Sequence, residues 1–202
     1  MDDIVKQALA RWPNVPACSG WLRLDARGHW RLRDEADQAQ GAPGTPVRHD
    51  ALNAFIGRNY ERDALGQWYF QNGPQRVFVE LEYTPLVVRL AHDGEGSLTL
   101  TDQAGHPFEP VAAWLDEHGS VLFADAGNAD NDVKPRVALL HDHDLDGFAE
   151  HATLADDGQS GVFHWRAGID LPLQAIARDD VPARFDFVPS PEQREKVQKA
   201  SG

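Results

Sequence analysis

The sharpest chemical signal in the chain is His141-Asp142-His143-Asp144-Leu145-Asp146-Gly147. Read as nitrogen ligands, His141, His143 and the later His151 would hold zinc or another divalent transition metal, with Asp142 or Asp144 adding a carboxylate. A His-x-His pair on a strand turns both imidazoles to one face, which suits a shared ion. Read as oxygen ligands, Asp142, Asp144, Asp146 and Gly147 open like a calcium loop, where alternate carboxylates converge and Gly permits the turn. The closing position of such a loop needs a bidentate Glu, and Thr153 stands there. Leu145 and Phe148 are at helical spacing, so a capped, solvated helix start accounts for the same carboxylates without an ion.

Weaker constellations resolve into structure. Glu80 and Glu82 form a carboxylate pair on one strand face, the kind a glycosidase or an acid–base mechanism uses, but alternation reads them as the solvated face of that strand. The lone Cys18 rules out an internal disulfide and a cysteine zinc knuckle, and no His neighbours it to make a nucleophile. Gly158-Gln159-Ser160-Gly161 lacks the spacing of a nucleophile elbow, and Gly94-Glu95-Gly96 lacks the third Gly of a dinucleotide loop, so both are turns. Trp21, Trp30 and Trp68 sit in strand alternation and read as core or sheet-face residues.

The elements that must position these groups start with a short helix carrying Ile4, Val5, Leu9 and Trp12, ended by Pro13 and Pro16. Trp21–Asp25 and His29–Leu32 form a hairpin around Ala26-Arg27-Gly28. Residues Asp34 to Thr45 read as an exposed loop, and Leu52, Phe55 and Ile56 give a helix over Arg48–Asn59. Gly66 to Leu90 is the spine, with Val77, Val79, Leu81 and Tyr83 on one face before Thr84-Pro85 bends the chain into Leu86-Val87-Val88. A polar break at His92–Gly96 follows. Beyond it come strands at Ser97–Leu100 and Pro110–Trp114, a second hairpin through Glu117-His118-Gly119, and a polar loop over Asp125–Asp132. Val137–Leu140, Gly161–Trp165, Leu171–Ala177 and Phe185–Val188 are further strand candidates. Ser190-Pro191-Glu192 starts a polar tail helix.

Several of these elements recur at a near-constant separation: Trp21-Leu22 with Trp114-Leu115, Leu52 with Leu145, Phe55 with Phe148, the Gly66 strand with the Gly161 strand, and Pro85 with Pro182. The pattern predicts an α+β fold of two similar halves by internal duplication. Each half has a β-hairpin, a helix and further strands in a mixed or antiparallel sheet. The halves are residues 1–92 and 93–189, with 190–202 a polar tail.

The bulk numbers bound the partners. A formal net charge of −13 argues against DNA, RNA or an anionic membrane, because phosphate binding needs concentrated Lys and Arg. The acidic, polar MDDIVKQALARW start reads as no signal peptide, and no apolar run has membrane length. The expected location is the cytoplasm.

A hairpin with Gly28 and Trp30 leads through Gly44-Thr45-Pro46-Val47-Arg48 into a Leu/Phe helix. A Gly66 strand, Pro74-Gln75-Arg76-Val77-Phe78-Val79-Glu80 and the Thr84-Pro85 corner follow. This succession resembles the proteobacterial family known as domain of unknown function 1285. Asn128, Ala129, Asp130, Asp132 and Val133 resemble that family's Asn/Asp-rich turn. The family commonly has Thr-Pro-Val-Glu where this chain has Gly73-Pro74-Gln75-Arg76. The resemblance implies a two-part fold with repeated motifs and a part in signal transduction, and it brings no catalytic residues.

The sequence therefore leads to a non-catalytic regulatory or signalling module that needs no cofactor. It would bind a small molecule or a protein partner, a second copy of itself included, with the groove between halves as the pocket. The rival is a metal-dependent enzyme centred on His141, His143 and His151.

Overall fold

The computed structural model describes residues 1–127, 134–156 and 158–200. The Asn128–Val133 turn named above lies outside them. The fold is α+β, and the chain divides into two compact units. The first holds Met1–Asp25, His29–Tyr83 and Asp186–Gly202, and the second holds Ala26–Gly28 and Thr84–Phe185. No helix among the described residues is long and apolar enough to cross a membrane.

In the first unit, α1 (Asp3–Arg11) precedes β1 (Cys18–Leu24), β2 (Trp30–Leu32), α2 (Glu35–Gln40) and β3 (Thr45–Pro46). Next come α3 (Asp50–Arg58), β4 (Tyr60–Arg62), β5 (Trp68–Asn72) and β6 (Gln75–Leu81). The sheet order is β3-β2-β1-β6-β5-β4, with β1 and β6 parallel at its centre, Leu22 opposite Val79 and Leu24 opposite Leu81. Leu24 and Val79 are fully buried there. Trp30 meets Tyr60 edge to face at a centroid distance of 4.9 Å, and Tyr60 lies tilted against Trp68 at 4.8 Å.

The second unit starts with β7 (Leu86–His92), β8 (Leu98–Asp102) and β9 (Pro107–Phe108). It continues through β10 (Ala112–Leu115), β11 (Val121–Ala124), β12 (Val137–Leu140), α4 (Leu145–Glu150), β13 (Ala152–Leu154), β14 (Gly161–Arg166), β15 (Ile169–Ala175) and α5 (Val181–Arg184). Its sheet runs β13-β14-β15-β10-β11-β12-β7-β8-β9. The apolar runs Val121–Ala124 and Val137–Leu140 are buried at every position, as central strands must be. Phe123, Phe148 and Phe163 form the core under α4, with Phe148 and Phe163 stacked at 4.8 Å.

One strand order serves both units. β3-β2-β1-β6-β5-β4 recurs as β12-β11-β10-β15-β14-β13, with a parallel central pair, antiparallel neighbours, and a helix between the third and fourth strands each time. The hairpin turns share a device. At Asp25, Asp63, Asp93, Asp102 and Asp116, Oδ1 accepts the amide four residues on, at 2.8–2.9 Å. A Gly three residues after each Asp takes φ of +78 to +84°. The side chain thus satisfies loop amides that no strand reaches, and Gly supplies the left-handed step of a bulged turn. Gly66 is the tightest case, since a Cβ there would lie 2.4 Å from the Asp186 carbonyl oxygen.

Three expectations change. The Asp34–Thr45 loop contains α2, where Asp34 accepts from the Asp37 amide at 2.8 Å and Asp37 returns a bond to the Asp34 amide, so polar capping rather than an apolar face builds it. Phe185–Val188 forms no strand, and Pro182 lies in α5. Glu80 is not on a solvated face but only 6% exposed, because α6 (Pro191–Ala200) covers that side of β6. Ser190 Oγ and the Glu192 amide both donate to its carboxylate.

Candidate functional site

The buried strand β12 carries the chain to His141, whose amide extends the parallel pairing by donating to the Val88 carbonyl at 3.0 Å. A 3-10 turn over Asp142–Asp144 then redirects the chain into α4. His141 caps this turn, with Nδ1 accepting from the His143 amide at 3.1 Å. The His/Asp stretch is therefore a strand-to-helix corner. Its carboxylates diverge instead of converging on a calcium ion. Asp142 Oδ2 takes Arg27 Nη2 at 2.6 Å, and Asp144 takes Arg89 through Nε at 2.7 Å and Nη2 at 2.9 Å. Asp144 also accepts the Leu90 amide at 3.0 Å. Asp146 is exposed in the first turn of α4, and Gly147 sits inside the helix.

His141, Asp142 and His143 stay together, with one ligand atom from each lying within 4.8 Å of the others. His141 Nδ1 and Asp142 Oδ1 are 2.9 Å apart, and the two rings meet edge to face at 4.8 Å. Two nitrogens and one oxygen make a donor set suited to zinc-like ions. Asp144 points to Arg89, and His151 lies at the C-terminal cap of α4, its ring against His92 at 5.4 Å.

Burial, reinforced by Arg89, pushes the His141 imidazole below its ordinary value, so the ring is neutral at pH 7. Desolvation raises the Asp142 carboxyl, but Arg27 outweighs it and the net shift is downward. Asp144 follows the same pattern, desolvation being overcome by the hydrogen bonds from Arg89 and Leu90. Both carboxylates are thus held ionised by arginine.

Two further groupings lie outside those the sequence singled out. On the outer strands of the second sheet, His164 Nδ1 lies 2.9 Å from Asp170 Oδ1, and Nε2 lies 3.1 Å from Thr153 Oγ1. His164 and Asp170 are direct cross-strand partners, so alternation on β14 and β15 was the signal that could have found them. A cavity of about 430 Å³ opens at the C-terminal ends of β10 and β15.

A family model, DUF2944, described as "Protein of unknown function (DUF2946)", matches residues 1–192. The chain belongs to this family. Solved structures of DUF1285 proteins also match this DUF2944 member. One, from Silicibacter pomeroyi DSS-3, is 18% identical with a TM-score of 0.46, covering 87% of this chain and 97% of its own. Another, from Shewanella baltica OS155, is 12% identical with a TM-score of 0.39, covering 65% and 91%. The resemblance to DUF1285 read from the residues is met by these structures. No curated protein matches the chain.

Proposed function

We propose that the chain is a duplicated, non-catalytic regulatory or signalling module that binds a small molecule or a protein partner and needs no cofactor. The observation that carries this reading is the pairing at the His/Asp corner. Asp142 and Asp144 are each engaged by an arginine, and His141 Nδ1 accepts a backbone amide, so these groups hold the corner together. A catalytic base or a cation ligand would have to give up those bonds first. The matching strand orders support two copies of one unit, and cytoplasmic location and homodimer formation belong to the same reading.

A metal-dependent activity is the second reading, favoured by the close approach of His141, Asp142 and His143. Those three residues would hold the ion, which would supply Lewis acidity. Native mass spectrometry on protein purified without a metal column or chelator separates the two. A bare chain, or a non-metal adduct, is the expected result. One metal per chain, lost on His143→Ala, would overturn the non-catalytic reading.

A further inference from the structure

We infer that Thr153 is a covalent modification site, its hydroxyl the acceptor of an acyl group from an activated donor, a thioester or an acyl phosphate. This goes beyond the binding-module reading, and neither depends on the other. Asp170 Oδ1 lies 2.9 Å from His164 Nδ1, and His164 Nε2 lies 3.1 Å from Thr153 Oγ1. A carboxylate only accepts, so Nδ1 carries the proton of the neutral ring. Nε2 then offers its lone pair, and the Thr153 hydroxyl donates to it. A hydroxyl within reach of a base, with the base oriented by a third group, is the geometry of an activated nucleophile.

Three neighbouring strands assemble it, β13 bringing Thr153, β14 His164 and β15 Asp170. His164 and Asp170 are direct cross-strand partners. Thr153 stands opposite Val162, two residues from His164 on β14 and therefore on the same face. Phe163 and Leu171 enter the core from the other face, which anchors the strands. The β14–β15 register shifts between His164 and Arg166, so a bulge adjoins the base, a device that re-aims side chains at reacting positions. β13 is an edge strand and Thr153 is exposed, so a donor reaches the hydroxyl from solvent. Val162 and Pro172, paired across the same face, lie beside Thr153 as an apolar bed for a short acyl chain. In the transfer, Thr153 Oγ1 bonds to the acyl carbon and its proton passes to His164 Nε2. The bond from the acyl carbon to the thiolate or phosphate breaks, and the leaving group takes that proton. His164 is the base, and Asp170 is a positioning residue that fixes its tautomer.

The test treats the full chain with para-nitrophenyl acetate, an activated ester, and follows acetylation peptide by peptide with mass spectrometry. Thr153 should be acetylated ahead of every other hydroxyl. Thr153→Val should abolish the product, and Thr153→Ser should retain it. His164→Ala should slow the reaction about 100-fold, the contribution of a positioned base. His164→Gln, which can still hydrogen-bond Thr153 but takes no proton, should be as slow. Asp170→Ala should slow it too, and nitrogen NMR should show the His164 ring move from the Nδ1–H to the Nε2–H tautomer, which a merely structural strand contact would not produce. Acetylation that does not favour Thr153, a rate unchanged by His164→Gln, or a tautomer indifferent to Asp170→Ala overturns the assignment.

Discussion

Glu80 is the residue whose replacement tests the packing most directly. Its carboxylate sits on β6 under the first turn of α6, accepting from Ser190 Oγ and from the Glu192 amide at 3.0 Å. Glu80→Ala leaves both half-buried donors without an acceptor, at about 1–2 kcal/mol each. The helix is also held by the buried Pro191, the Arg33–Glu192 ion pair, Ser19 to Glu195 and Arg194 to the Leu65 carbonyl, while Val197 is 65% exposed. The loss should therefore appear as local opening of α6, worth about 2–4 kcal/mol, or roughly a 30- to 1,000-fold fall in amide protection at Glu192 and Gln193. Glu80→Gln keeps the shape and one acceptor and should cost less than about 1 kcal/mol. The pH dependence has a definite sign. Desolvation, with Glu192 adding to it, raises the Glu80 carboxyl above its ordinary 4.5 despite the bonds from Ser190, Glu192 and Arg33 nearby. Its contribution is thus fully present below that ordinary value and is lost as pH rises through the raised one. Protection factors of α6 in the natural sequence should decline across that window and flatten in Glu80→Gln. If Gln behaves like Ala at neutral pH, or if the natural protein shows no decline, the account of the buried carboxylate is wrong.

Two further predictions concern the corner and the turns. Asp144→Ala should cost about 1–3 kcal/mol in urea denaturation, because the Leu90 amide and the Arg89 guanidinium lose their acceptor. The folded Asp144 is lowered below 3.8, so this contribution is present above that value and fades as pH falls through the folded one, and a cost independent of pH would count against the pairing. Gly66→Ala combines φ of +79° with a Cβ 2.4 Å from the Asp186 carbonyl. Thermal unfolding should register a loss of more than about 1 kcal/mol, and an unchanged midpoint would show that the close approach is relaxed in solution.

The strands were legible because period-two alternation and apolar runs report burial directly: Val79 and Leu81, Val121–Ala124 and Val137–Leu140 are core as the pattern requires. Glu80 misled for the same reason. Alternation assigned it to the outer face of β6, and a helix arriving from the far end of the sequence covers that face. α2 offered no apolar stripe at all, only the Asp34/Asp37 capping pair. At the candidate site the residue types were visible, but their partners were not. Arg27 comes from the turn between β1 and β2 and Arg89 from β7, and no local spacing joins either to Asp142 or Asp144. The recurrence of elements was visible too, although the turn Asp25/Asp116 aligns Leu24 with Leu115, one strand repeat from the Trp21/Trp114 pairing that the tryptophans suggest.

The first unit is assembled from chain segments made before and after the second unit. Leu81 hydrogen-bonds the Pro189 carbonyl, Gly66 receives the Val188 amide, and Glu80 waits for Ser190 and Glu192. The second unit, apart from Ala26–Gly28, is one continuous stretch from Thr84 to Phe185. Vectorial synthesis therefore completes the second unit first, whereas the first sheet, its six strands made by Leu81, stays uncovered until the segment from Asp186 onward is made. A nascent chain arrested before residue 186 should leave β6 open to proteases and to chaperones that read exposed strands. C-terminal fusions that hold residues 186–200 away from the sheet would prolong the same vulnerable state.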